Sequence, residues 1–201
     1  RNPLTEDAIY RMYSNTKLVT SIAAMILYER GGFDLDDPVA KYLPEFADMQ
    51  VLKPDATSVE QTEPARDDMR IRHILSHSAG LSYGFIEPGS VIDQAYAGSG
   101  IDILNDATMT LETLCEKLGE LPLAYHPGES WRYSFGADVT ARLVEVVSGQ
   151  AFDEFLSENI FQPSKNFPTI SKVIKYAQVT PNISRELINS KLNIDLKIKQ
   201  L

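Results

Sequence analysis

Residues 10–32, YRMYSNTKLVTSIAAMILYERGG, decide the fold, because they predict one long helix that starts beside a serine and a lysine. Apolar residues recur there at the spacing of one helix face, and Gly31-Gly32 is a typical helix end. The pattern predicts a helix over residues 14–30, which additional apolar residues should make well buried. The residues of the apolar face are Leu18, Val19, Ile22, Ala23, Ile26 and Leu27.

Ser14 and Lys17, at the start of this helix, have two interpretations. Serine is a preferred N-cap, and lysine is common on helix surfaces. Alternatively, a lysine three residues after a serine points to the same side of the helix, and a desolvated lysine can take the serine proton. A cation in the first helical turn also opposes the helix dipole, which favours a neutral or paired lysine. Roughly one Ser-x-x-Lys is expected by chance in such a chain, so both interpretations stay open.

Helical periodicity and capping residues predict five further helices along the chain. In the first of them, Asp37 is the expected cap and Pro38 fits the first turn. Gly149 is the expected C-cap of the fourth. These helices are predicted over residues 35–46, 69–77, 108–122, 136–149 and 151–161.

The remaining segments predict loops and a different C-terminal tail. Residues 52–68 are polar and indicate a surface loop, while the Gly, Asp and Ser in 84–108 indicate a long loop or irregular lobe. After Pro163, residues 169–179 could form a helix. LNIDLKIK, at 192–199, alternates apolar and polar residues, as a half-buried strand does.

Composition excludes several functional classes. The 201 residues suit one domain, or one domain plus an appendage, and the net charge of −9 argues against nucleic acid or an anionic membrane as the main partner. The chain starts with Arg1, which indicates a processed or partial chain and leaves the compartment undetermined. Cys115, the only cysteine, lies within a helical pattern and is expected to be buried. The three histidines are too few and too separated for a metal cluster, so no metal is expected.

Three segments in one order resemble the serine β-lactamase-related family. The family comprises class C β-lactamases, D-alanyl-D-alanine carboxypeptidases and class VIII esterases, and the chain looks most like the esterases. The similarity covers about residues 4–163 and is dense. The segments are YSNTKLVTSIAAMILYERGGFDLDDPVAKYLPEF (13–46), IRHILSHSAGLSYG (71–84) and PGESWRYSFGADVTARLVEVVSGQAFDEFLSENIFQP (127–163).

The resemblance implies catalytic roles for three residues. Ser14 and Lys17 match the family's Ser-x-x-Lys motif, and Tyr133 heads its tyrosine-centred triplet. Ser14 is then the nucleophile and Tyr133 the general base or proton shuttle, with Lys17 keeping either of them activated. Phe135 stands where β-lactamases and peptidases usually carry Asn, which favours ester over amide hydrolysis. Trp131 and Tyr83 could line an acyl pocket or be ordinary core or rim aromatics, and His73 and His77 are expected to be structural.

The resemblance also implies an incomplete α+β, β-lactamase/transpeptidase-like fold that is mostly helical with few strands. The family's third motif, on a C-terminal strand, has no counterpart in the sequence, and LNIDLKIK is the best candidate for that strand. Two domains are predicted: residues 1–163, the central portion of the family domain, and residues 164–201, a divergent tail. Without the family's sheet, the apolar side of the first helix should lose its main cover.

Three hypotheses on function follow. The first is an esterase-like serine hydrolase that forms an acyl-enzyme on Ser14, acts on small acyl esters or, more weakly, β-lactams, and needs no cofactor. The second is a catalytically inactive fragment or isoform of that family that binds a ligand or partner, or has no function. The third is that the natural protein is longer than this chain. An uncovered sheet edge would favour self-association.

Overall fold

The computed structural model describes residues 13–102, 106 and 108–163, which form six α-helices and one two-stranded sheet. Short 3-10 helices lie at Tyr13–Asn15, Val39–Lys41 and Pro44–Phe46, and a π-helical turn at Ser157–Phe161. The strands are β1 (Gln50–Leu52) and β2 (Thr62–Pro64). The helices are α1 (Thr16–Glu29), α2 (Ile71–Leu75), α3 (Val91–Gly98), α4 (Leu111–Gly119), α5 (Gly136–Ser148) and α6 (Phe152–Leu156).

Helix α5 is the centre of the described core, and α1, α2, α4 and α6 all pack against it. Its first six residues are buried, since small side chains there let the neighbouring helices approach. Gly149 ends the helix in the left-handed conformation, as predicted. Because α1 and α5 are in direct contact, the residues at their N-terminal ends can share one site.

Gly136 is required by the close approach of α2 to the start of α5. A Cβ atom at this position would lie 2.5 Å from the carbonyl oxygen of Ile74, which is too close for any side chain. The absent side chain therefore allows the loop before α5, which carries Tyr133, to pack against the end of α2.

The sheet is small and antiparallel. Val51 pairs with Glu63, and Val51 also forms a parallel bridge to Leu123, so the hairpin is joined to the segment after α4. Val51 and Leu123 are both buried, and this bridge attaches the sheet to the core.

Helix α1 has one buried and one exposed apolar face. Ala23, Ala24 and Leu27 face the core. Leu18 and Ile22 remain 68% and 50% exposed, so the prediction of a well-buried helix is wrong for this face. The expectation that the apolar side of α1 would lack cover is confirmed for these side chains.

Three local predictions are wrong. Residues 35–46 form two 3-10 helices, and Asp37 binds the Lys41 ammonium and Tyr42 hydroxyl in place of capping a helix. Residues 52–68 contain β2, and residues 84–108 contain α3, whose N-cap is Ser90. Alternation over three residues and a two-turn helix are too short to give a clear periodic signal.

Other predictions hold. The helices predicted around residues 69–77, 108–122, 136–149 and 151–161 are present, and Cys115 is buried. The helix predicted at 169–179 and the strand at 192–199 lie outside the described residues. Across the described residues no helix combines the length and apolar character that a membrane crossing needs.

Candidate active site

Ser14 lies in the 3-10 turn that leads into α1, and it does not cap the helix. The cap position is Asn15, which has helical backbone angles and makes no side-chain cap hydrogen bond. Tyr13, immediately before Ser14, has a positive φ of 45°, an uncommon conformation for a non-glycine residue. The predicted N-cap role of Ser14 is therefore wrong, and its hydroxyl is available for another contact.

That contact is with Tyr133. The Ser14 hydroxyl is hydrogen-bonded to the phenolic hydroxyl of Tyr133, 119 residues away in sequence. Ser14 comes from the start of α1 and Tyr133 from the loop just before α5, so the packing of α1 on α5 brings them together. The structure thus joins two of the three residues that the sequence singled out.

Two backbone hydrogen bonds place Tyr133 in this position. The Arg132 amide donates to the carbonyl of His77 at 2.9 Å, and the Phe135 amide donates to the carbonyl of Ser82 at 3.4 Å. The loop that carries Tyr133 is therefore held along the segment from His77 to Ser82, which follows α2.

Lys17, the third candidate catalytic residue, lies next to Tyr133. Its ammonium lies 4.9 Å from the centre of the Tyr133 ring and 5.4 Å from the centre of the Tyr83 ring, within cation–π distance of both. A cation held against Tyr133 stabilises negative charge that develops on neighbouring oxygens as a proton moves.

Asp138 is an acidic residue of the site that the sequence did not single out. It is only 4% exposed on the first turn of α5, and the Tyr83 hydroxyl donates to its carboxyl at 3.5 Å. Burial raises its pKa from 3.8 to about 7, although the positive charge of Lys17 acts in the opposite direction. Tyr83 thus lies between Lys17 and a buried carboxyl that changes charge near neutral pH.

His77 also packs against Tyr133. The two ring centres are 5.0 Å apart, and Nδ1 of His77 is 3.3 Å from the Ser134 hydroxyl. Burial lowers the pKa of His77, and the nearby Lys17 charge lowers it further, which favours the neutral imidazole. This contact is consistent with the predicted structural role, and it also places His77 directly beside the site.

A buried ion pair supports the Tyr133 loop from behind. Arg132 donates to Asp93 at 2.9 Å and to the Ser82 hydroxyl at 2.8 Å. Burial alone would raise the pKa of Asp93, but hydrogen bonds from Ser82, the Glu87 amide and Arg132 lower it below its ordinary value. The ion pair fixes α3 to the residue directly before Tyr133.

The other candidate residues are accounted for. Cys115 is buried in α4, and burial raises the pKa of its thiol, which opposes formation of a reactive thiolate. In the described part of the chain, no group of three or more His, Cys, Asp or Glu side chains could hold a metal ion. His73 accepts a hydrogen bond from the Arg70 amide through Nδ1, which is a structural role.

Comparison with known proteins finds a matching family model and related enzymes. The family model described as Beta-lactamase matches residues 1–170. Esterase EstB of Burkholderia gladioli is 33% identical over 162 residues, which are 80% of this chain and 38% of that protein. Acyltransferase calJ of Penicillium decumbens is 32% identical over 162 residues, 80% of this chain and 37% of that protein.

A solved structure supports the fold. The hydrolase EstCE1, described as having promiscuous acyltransferase activity, superposes with a TM-score of 0.66 at 29% identity, covering 81% of this chain and 39% of that protein. The predicted β-lactamase/transpeptidase-like fold, mostly helical and only partly covered, is confirmed. The chain spans less than two fifths of the length of these three relatives.

Proposed function

Because the chain belongs to the beta-lactamase family, we propose that it is a serine hydrolase that cleaves small carboxylic esters through an acyl-enzyme on Ser14. The observation that carries the proposal is the hydrogen bond between the Ser14 and Tyr133 hydroxyls, with the Lys17 ammonium against the Tyr133 ring. A serine hydroxyl is a weak nucleophile until a neighbouring group takes its proton, and Tyr133 is the group in contact with it.

The first half-reaction forms the acyl-enzyme. The Ser14 oxygen attacks the ester carbonyl carbon, and its proton moves to the Tyr133 oxygen, which acts as the general base beside the Lys17 ammonium. The carbonyl π electrons form an oxyanion, which backbone N–H groups at the start of α1 can stabilise. When the carbonyl re-forms, the alcohol leaves with the proton returned by Tyr133.

The second half-reaction releases the acid. Water attacks the acyl carbonyl and gives its proton to Tyr133, and Ser14 leaves with a proton returned from the same group. Lys17 supports both halves, because a positive charge beside Tyr133 offsets the negative charge that passes through the Ser14 and Tyr133 oxygens.

Acyl transfer to an alcohol is a second candidate function. Acyltransferase calJ is among the relatives, and EstCE1 is described as having both activities. The same acyl-enzyme serves both reactions, since an alcohol that replaces water yields a new ester in place of an acid. Adding an alcohol to the hydrolysis assay and measuring the new ester would separate the two functions.

Hydrolysis of p-nitrophenyl butyrate by the 201-residue chain tests the proposal. We expect Ser14→Ala to abolish turnover, and Tyr133→Phe to reduce kcat by about 10²- to 10⁴-fold through loss of the proton-transfer group. Ser21→Ala is the matched control: Ser21 lies within α1, and its hydroxyl donates to the Lys17 carbonyl. Its activity should stay within about twofold of the parent.

A fluorophosphonate probe tests the nucleophile without turnover. Mass spectrometry should find the probe on the peptide that contains Ser14, and Ser14→Ala should remain unlabelled. A folded parent chain that is neither labelled nor active would support the alternative of a catalytically inactive member. Label on another residue would refute the assignment of Ser14.

A further inference from the structure

Two large aromatic side chains lie exposed next to the candidate site. Phe85 is 62% exposed and Trp131 is 65% exposed, and each lies in a short exposed stretch that adjoins residues packed against the core. Phe85 follows the segment from His77 to Ser82, and Trp131 lies two residues before Tyr133. Single exposed apolar residues are normal, but two aromatic rings beside a candidate nucleophile need an explanation.

Each exposed ring is joined to Tyr133 through one intermediate ring. Phe85 stacks on Tyr83 with ring centres 5.3 Å apart, and Tyr83 is 5.3 Å from Tyr133. Trp131 meets His77 edge-on at 6.1 Å, and His77 is 5.0 Å from Tyr133. Phe85 and Trp131 are therefore each linked through a different ring to Tyr133, whose hydroxyl contacts Ser14.

The intermediate rings hold the exposed rings in place. Tyr83 is fixed by its hydrogen bond to Asp138 and its contact with Phe135 at 4.4 Å, and His77 by its contact with Ser134. Phe85 and Trp131 thus have rigid supports on one side and solvent on the other. An aromatic ring presented in this way offers apolar area at a low cost in conformational entropy.

The two carboxylates nearest the rings in sequence are both paired. Glu87, two residues after Phe85, is paired with Arg132 at 3.4 Å. Glu129, two residues before Trp131, is paired with Arg66 at 2.9 Å. With both carboxylates paired, neither calls for a cationic group beside the rings, and the Lys17 ammonium lies against the inner rings Tyr83 and Tyr133.

We propose that Phe85 and Trp131 form a binding surface for an aromatic group carried by the ester substrate, and so determine substrate specificity. The proposal rests on the proposed function and names the substrate class: neutral esters with a phenyl-sized group within a few bonds of the scissile carbonyl. Such a group gains contact with Phe85 or Trp131 while its carbonyl lies at Ser14. A methyl-sized group gains neither contact.

Boronic acids test this surface without turnover. The Ser14 oxygen adds to the trigonal boron, its proton passes to Tyr133 or solvent, and a tetrahedral boronate forms with no leaving group. The probes are 2-phenylethylboronic acid and methylboronic acid, in which a benzyl group replaces one hydrogen of the methyl compound. Calorimetry gives the Kd of each, and fluorescence of Trp131, the only tryptophan, reports contact at the proposed surface.

We expect the parent chain to bind the phenylethyl compound at least tenfold more tightly than the methyl compound. Phe85→Ala and Trp131→Ala should each raise the Kd of the phenylethyl compound by about three- to tenfold. Neither substitution should change the Kd of the methyl compound. Tyr28→Ala is the matched control, because Tyr28 is a partly exposed aromatic that contacts Phe33, and it should change neither Kd. Phenylethyl binding should also change Trp131 fluorescence.

Three outcomes would overturn the inference. They are equal Kd values for the two boronic acids in the parent chain, no binding of either compound by the folded chain, or an equal rise in both Kd values in Phe85→Ala. A change in sedimentation of Phe85→Ala or Trp131→Ala without a change in Kd would assign the rings to protein contacts and also overturn it. Ser14→Ala separates this inference from the proposed function. If that variant still binds the phenylethyl compound, and the binding still depends on Phe85, the aromatic surface is supported and the assignment of Ser14 as the nucleophile is refuted.

Discussion

Asp138 shows how one buried side chain can couple the site to pH. Its carboxyl is enclosed between α5 and Tyr83, so ionisation must occur with little help from water. Its pKa of about 7 is above the 3.8 of an exposed aspartate, which means that the folded chain keeps a proton that the unfolded chain loses. Between pH 4 and 7 this group therefore lowers stability progressively as pH rises.

Replacing Asp138 by Asn should remove that pH dependence. The free energy of unfolding of Asp138→Asn minus that of the parent should rise between pH 4 and 7 by on the order of 4 kcal/mol and then stay constant. Urea denaturation at several pH values measures it. Asp37→Asn, the same chemical change, is the control: the pKa of Asp37 is lowered to about 2, so its difference from the parent should stay constant between pH 4 and 7. A pH-independent difference for Asp138→Asn would contradict the prediction.

The contact made by Ser14 decides whether this residue is a helix cap or a serine with a long-range partner. A capping serine would direct its oxygen to the first N–H groups of α1, whereas the Ser14 oxygen is bonded to Tyr133. The 3-10 turn and the positive φ of Tyr13 place the serine one step outside the helix, where its side chain can face the loop before α5. Backbone geometry thus decides between a local and a long-range partner.

Helix α5 is the element on which the site depends. It carries Asp138 in its first turn, follows Tyr133 directly and packs against α1, which starts next to Ser14. Any displacement of its N-terminal end would change the distance between Ser14 and Tyr133. The close contact of Gly136 with Ile74 fixes that end.

Gly136→Ala should therefore be destabilising, although alanine is the better helix former. The new methyl group would meet the Ile74 carbonyl, and we expect a loss of about 1–3 kcal/mol in the free energy of unfolding. Gly98→Ala in α3 is the matched control, because no atom lies within 4 Å of a Cβ built there. It should be neutral or stabilising by up to about 1 kcal/mol. Equal changes in the free energy of unfolding for the two variants, measured by urea denaturation, would show that the Ile74 contact does not restrict position 136.

The described part of the molecule has a packed core around α5 and an uncovered apolar face on α1. An exposed apolar face is a common cause of association between protein chains. We propose that the 201-residue chain self-associates in solution, through this face or through the sheet edge predicted from the sequence.

Replacing both Leu18 and Ile22 by Ser tests the contribution of the α1 face. Because these side chains are exposed, the double variant should lose less than about 1 kcal/mol of stability while sedimentation velocity shows weaker association. Leu27→Ser, on the buried face of the same helix, is the contrasting control and should lose stability strongly, by about 2–5 kcal/mol. A parent chain that is monomeric at all concentrations would refute self-association.

At the scale of the whole chain, we propose a division into two parts: the family domain ends near Pro163, and residues 164–201 form a divergent tail. If so, a chain ending at Pro163 should unfold thermally within a few degrees of the 201-residue chain. A much lower midpoint would place part of the tail within the domain.

The sequence by itself determined the family, the main helices and the three candidate catalytic residues. Apolar periodicity identifies α5 and Gly149 marks its end, while the resemblance to the family implied the roles of Ser14, Lys17 and Tyr133. Short elements such as β2 and α3 were missed because a few residues give little periodic signal.

Only the tertiary structure decided which of these residues meet, and which side chains are buried. The bond between Ser14 and Tyr133 joins residues 119 positions apart and exists only because α1 packs on α5. Asp138 shares the helical spacing of Arg142 and Glu145, so its sequence position suggests a solvent-facing stripe, yet Tyr83 and its neighbours enclose it. Periodicity records the side of a helix on which a residue lies, whereas burial depends on what packs against that side.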